Sequence, residues 1–161
     1  MAKFLLSIHV LAAILLIGPV TVAASMFPRF ARQALADGPE QQSAKESVRL
    51  LHRICRVYAV AGISVPVFGV VTAQVMGVMD SAWLIASMAL TAVAAVLLGI
   101  AVLGTQDSVV TQLDKPDQTS TAAESLIARL PRLSMITGLF ALAWLIVVVL
   151  MIVRPGSTTG A

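Results

Sequence analysis

Four stretches of this chain contain no Asp, Glu, Lys or Arg and are long enough to cross a bilayer: Phe4–Phe27, Val57–Met79, Ala82–Gly104 and Leu133–Val153. A helix needs about 20 apolar residues, at 1.5 Å rise each, to traverse about 30 Å of hydrocarbon. In lipid every backbone N–H and C=O must be satisfied within the segment, so uncharged runs of this length imply helices. The expected fold class is all-α: a polytopic bundle of four transmembrane helices forming one domain over residues 1–161, with 154–161 as a disordered tail. Composition agrees, with 58% of the 161 residues hydrophobic and 12% charged, against about 25% charged in soluble domains. A net charge of +3 and 5% aromatics give no footprint for nucleic-acid binding.

The links between the runs are unequal. Long polar segments join the first run to the second and the third to the fourth, whereas Asp80 and its neighbours alone separate the second from the third, which predicts a tight hairpin. With four spans the two long segments share a side. They carry Arg29, Arg32, Lys45, Arg49, Arg53, Arg56, Lys115, Arg129 and Arg132, against Lys3 and Arg154 opposite. The positive-inside rule therefore puts both long loops in the cytoplasm of a bacterial inner (plasma) membrane, with the N-terminus, the Asp80 turn and the C-terminus outside. The same bias favours an uncleaved first span, because cleavage near Ala24 would export the arginine-rich segment.

In the first long loop, Asp37-Gly38-Pro39 reads as a turn and Ser43–Arg56 as an interfacial helix. Arg49, Arg53 and Arg56 fall on one side of that helix, where they can meet anionic lipid headgroups; Val48, Leu51 and Ile54 or Cys55 fall on the other. Topology enforcement alone also explains such charges. In the second long loop, Thr121-Ala122-Ala123-Glu124 matches a capping box that opens a short helix to Leu130, with Pro131 ending it or beginning the next. Leu126, Ile127 and Leu130 give that helix an apolar side, expected on the membrane or against the first loop. Neither loop holds a phosphate loop, paired catalytic carboxylates or a Ser/His/Asp set.

Within the spans, Gly69, Ala73 and Gly77 recur every four residues, and Thr91, Ala94, Ala95 and Gly99 stud the third. Small residues let helices approach closely where lipid supplies no hydrophobic drive between them. Pro19 and Pro66 each remove a backbone hydrogen bond and should bend their helices. Ser64, Thr72 and Gln74 read as interhelical hydrogen-bonding groups.

His9 is the one ionisable side chain inside a span, which raises a functional question by default. It could ligate haem b or copper, with Met76, Met79 and Met151 as the sulfur groups nearest its depth, or simply hydrogen-bond a neighbouring helix. His52 belongs at the opposite membrane face, so the two histidines cannot pair within one chain. The lone Cys55 excludes an intramolecular disulfide and is placed for palmitoylation. With no Asp or Glu inside a span, proton-coupled transport by this chain alone is not expected.

The run His9-Val-Leu-Ala-Ala-Ile-Leu-Leu-Ile-Gly18, with Pro28-Arg29 at the membrane edge and Leu51-His52-Arg53 before the second span, resembles a family of uncharacterised four-helix bacterial membrane proteins common in actinobacteria. That family is distantly similar to the copper-resistance D domain and to membrane-bound protoporphyrinogen oxidase. Leu15-Leu16-Ile17 and Pro19 stand where those proteins carry a tryptophan and a second glycine. The resemblance therefore implies fold and membrane location rather than chemistry. The resulting expectation is a non-enzymatic accessory or stabilising subunit that docks laterally onto a larger membrane complex, a lipid transporter or respiratory assembly, with no resident cofactor. The alternatives are a haem- or copper-binding protein using His9 and, last, a self-assembled exporter.

Overall fold

The computed structural model describes residues 2–115 and 120–156. It consists of α1 (Ala2–Leu35), α2 (Gln41–Gly62), α3 (Ser64–Met76), α4 (Ala82–Val96), a π-helical segment (Leu97–Leu103), α5 (Gly104–Leu113) and α6 (Ser120–Val153). Merged where they run on, these make four rods: 3–35, 41–76, 82–113 and 121–153, each long and apolar enough to span a membrane. The described residues form an all-α, four-helix membrane protein.

The rods outrun the bilayer. α1 has 34 residues, about 50 Å of helix against about 30 Å of hydrocarbon. The excess projects at the arginine-rich end, and there the best-sealed part of the core lies. Phe27, Ala31, Ala34 and Leu35 of α1 meet Ala44, Val48, Leu51 and Cys55 of α2, Val109 and Leu113 of α5, and Leu126, Leu130 and Leu133 of α6, all buried in one cluster. Each set recurs at three- and four-residue steps, the spacing of one helix face.

Several sequence expectations are corrected here. Residues 43–56 are not an interfacial helix lying on lipid: their apolar side is buried against α1 and α5. For Leu126, Ile127 and Leu130 the second of the two expected places holds: Leu126 and Leu130 are buried in the cluster with Ala31, Leu35, Ala44 and Val48 of the first loop, and Ile127 packs on it. α6 runs unbroken through Pro131 and begins at Ser120, one residue ahead of the proposed Thr121 cap. The residue before it, like Pro116 and Asp117 of the expected turn, lies outside the described residues, as do 157–161 of the expected tail.

Prolines act unequally. α1 passes through Pro19 and Pro28 as one helix, whereas the second rod is interrupted at Ile63. Pro66 has no N–H to offer the Gly62 carbonyl, and Ile63 N–H bonds Val60 O at 3.2 Å instead of the usual fourth carbonyl back. Ser64 Oγ donates to Ala61 O at 2.7 Å. Thr72 Oγ1 likewise donates to Phe68 O at 2.7 Å, so these hydroxyls serve their own helix, not a neighbour. Gln74 is exposed.

The second and third spans share a short turn but do not form a tight hairpin. α3 and α4 diverge from that turn, and it is α2 that meets the π-helical segment and α5 further down, while α1 packs on α2 and α3 and α6 packs on α4 and α1. The result is a window between α3 and α4, closed above by the turn, closed below by α2, and backed by α1 and α6.

Candidate functional site

His9 stands at the back of that window. Its side chain is 5% exposed, and Nδ1 lies 2.9 Å from the Val65 carbonyl on α3. A carbonyl only accepts, so Nδ1 carries the hydrogen and the neutral ring keeps a lone pair on Nε2. Gly69 makes the approach possible. A Cβ there would fall 2.9 Å from His9 Cε1 and 3.4 Å from Nδ1, so any side chain would push the ring off α3.

Between α3 and α4 lies an apolar cavity of about 210 Å³, lined by His9, Pro66, Gly69, Met88, Trp144 and Met151 among others. A second cavity of about 210 Å³ adjoins it toward the arginine-rich end and shares Pro66, Thr91, Ala95 and Trp144 with it. A third, about 40 Å³, extends from His9 toward the chain termini, with Thr72, Met76, Trp83, Met151 and Arg154 in its wall. Three voids that share walls form one groove. It is lined mainly by apolar surface throughout, and among the described residues its one cationic group lies at the terminal end, together with an indole N–H.

Arg154 and Trp83 supply these two groups. Trp83 is 7% exposed, and among the described residues its indole Nε1 has no hydrogen-bond partner. The Arg154 guanidinium lies 5.7 Å from the indole centroid, a cation–π distance, while its Nε donates to Met151 O at 3.3 Å. Neither residue belonged to the predicted site. The readable signal was their position, an aromatic opening one span and a cation closing another at the same face.

The other candidates scatter. Met76 and Met151 share the small cavity with His9, but Met79 packs instead on the cluster of Ala73, Trp83 and Leu84. No group of three or more His, Cys, Asp or Glu suited to a metal occurs among the described residues. His52 is thirteen residues along the rod from Val65, about 20 Å at helical rise, where Nδ1 lies 3.4 Å from Gln106 Oε1 and Nε2 lies 3.8 Å from Asp107. Cys55 is fully buried, and its sulfur accepts from Gln106 Nε2 at 3.5 Å. A thiol so enclosed is not positioned for palmitoylation.

At the arginine-rich end, Arg49 pairs with Asp114 at 2.6 Å, while Arg53 and Arg56 are exposed. Of the small-residue set, Gly69 receives His9 and Ala73 is buried. Gly77 instead ends α3 at φ +67°, a left-handed cap that glycine adopts without strain. Gly99 has open space around it, so neither of these two packs helices within the chain.

A family description of predicted integral membrane proteins, DUF2269, matches residues 3–155. The chain belongs to this family. No curated protein and no solved structure matches it. The DUF2269 match accounts for the multi-pass membrane character and covers all four rods; the wider likeness to copper-resistance D and protoporphyrinogen oxidase proteins, and an actinobacterial source, find no support in it.

Proposed function

We propose that this DUF2269 protein is a non-enzymatic accessory or stabilising subunit that docks side-on against another integral membrane protein of a larger assembly, such as a lipid transporter or respiratory complex. One observation carries the reading. α4 leaves Ala82, Ala86 and Ala89 exposed while Trp83, Ser87 and Ala94 are buried, so a short line of alanines, flanked by the exposed Ile85 and Val93, faces away from the bundle. In lipid such a line gives a partner helix close backbone approach, which large side chains deny. The charge bias supports an inner-membrane orientation with the arginine-rich end in the cytoplasm.

Purification from native membranes in mild detergent should recover a second membrane protein in stoichiometric amount. Ala86→Leu should release that partner, and Leu139→Ala on the outward face of α6 should not. A partner-free monodisperse protein, or a second copy of this chain as the sole partner, would contradict the reading.

A second reading is favoured by the shared cavity of His9, Met76 and Met151: soft sulfur ligands and an imidazole suit copper(I). Binding of one copper(I) per chain in competition with a chelator, lost in His9→Ala, would support it. Haem needs far more room than about 210 Å³, already below the roughly 300–1,000 Å³ of a drug-sized ligand pocket.

A further inference from the structure

We infer that the groove between α3 and α4 is a binding site for an anionic lipid, with one acyl chain lying along the groove and the phosphate or carboxylate oxygens at its terminal end, against the Arg154 guanidinium and beside Trp83. This stands apart from the docking role, because the groove and the outward stripe of α4 are different faces.

The tail half follows from the lining. The two larger voids, about 210 Å³ each, adjoin and are walled by apolar side chains from α1, α3, α4 and α6. Because α3 and α4 are apart along this length, the groove is open sideways to the bilayer, and a chain can enter without leaving lipid. A void inside a membrane protein deprives its lining of dispersion contacts, which an acyl chain restores.

The head half follows from unmet donors and charge. Buried polar groups are almost always hydrogen-bonded, yet the Trp83 indole N–H has no partner among the described residues although its side chain is 93% shielded. An interfacial tryptophan normally keeps that N–H in water; this one is withdrawn from it. The Trp83 side chain also lines the small void at the terminal end of the groove, although Nε1 itself is shielded from that space. Arg154 lines the same void and brings the cation. His9 completes the wall but offers only a lone pair, since its N–H is committed to Val65. The charged donor, with the unmet indole N–H close by, selects a head with acceptor oxygens and negative charge.

The chain's two tryptophans, Trp83 and Trp144, both line the groove, so intrinsic fluorescence reports occupancy. The full-length protein in detergent is titrated with dibromostearate, with the corresponding brominated alcohol, and with brominated phosphatidylglycerol. Bromine quenches tryptophan at contact, so bound ligand gives saturable quenching. The acid should half-saturate at a concentration about two- to fivefold below the alcohol, the range of one exposed charge interaction. Arg154→Gln should erase that preference. Ala92→Phe, placed on the exposed groove side of α4, should weaken both ligands together. Saturation by phosphatidylglycerol at concentrations as low as the acid's would identify a phospholipid as the occupant, and saturation by the acid alone a free fatty acid. Quenching that rises linearly for every ligand, or an acid preference unchanged in Arg154→Gln, would overturn the inference.

Discussion

At the residue scale the contact between His9 and Gly69 is the most exacting in the molecule. Gly69→Ala places a methyl 2.9 Å from His9 Cε1, closer than carbon atoms tolerate, and should lower stability by about 1–3 kcal/mol, the usual cost of overpacking. Steric unfolding in SDS measures it; His9→Ala in the same chain should recover most of the loss, since it removes the ring that clashes. His9→Ala alone loses one interhelical hydrogen bond, worth about 0.6 kcal/mol on average within membranes, plus the ring's packing. The pair between Arg49 and Asp114 is a different case. Both side chains are about half exposed, so Asp114→Asn should cost no more than about 1 kcal/mol, with no change in fold. The sequence made His9 conspicuous as a lone ionisable group in an apolar run. It gave no sign that Gly69 would be its seat, because a stripe of Gly69, Ala73 and Gly77 reads the same whether it receives a side chain, packs a helix or ends one.

At the scale of elements, the helical extensions beyond the membrane decide stability. Leu130 is fully buried where α6 leaves the bilayer, and Leu130→Ala should destabilise the protein by about 2–5 kcal/mol. Ile100, 74% exposed in the π-helical segment, should tolerate alanine almost without cost. Equal, negligible effects of both substitutions would restore the picture of an amphipathic segment lying on lipid. The lengths of the spans were legible because charge ends each run sharply. Their extensions were only half legible: Ala31, Ala34 and Leu35, or Val109 and Leu113, carry a helical period within polar sequence, but periodicity does not say whether the apolar side meets lipid or protein. The divergence of α3 from α4 was not legible at all. A short turn between two spans suggests pairing, and only the break at Ile63, the packing of α2 on α5 and the broad backing by α1 and α6 hold the window open. The π-helical segment at Leu97–Leu103 also left no trace in hydropathy. Such segments interrupt the regular ladder and concentrate at functional places, and this one carries Leu98 into the groove wall.

For the whole molecule, asymmetry along the membrane normal is the organising feature. The arginine-rich end is a sealed bundle of buried apolar side chains with Cys55 and Gln106 enclosed in it, whereas the terminal end is opened by the groove that reaches His9, Trp83 and Arg154. A maleimide should therefore fail to modify Cys55 in the folded protein and react after denaturation, which mass spectrometry resolves directly. Charge set this polarity in the sequence, through nine basic residues on one side against two on the other, and the groove sits on the side with few. Orientation is thus the point on which lipid site and docking face both depend for their place in the cell. In a Cys55→Ser background, single cysteines at Asp80 in the exposed turn and at Ser43 near the start of α2 can be probed in intact cells with a membrane-impermeant maleimide. Labelling of the Asp80→Cys protein in intact cells, with Ser43→Cys labelled only after permeabilisation, is the predicted result. The reverse pattern, or labelling of both from outside, would contradict it.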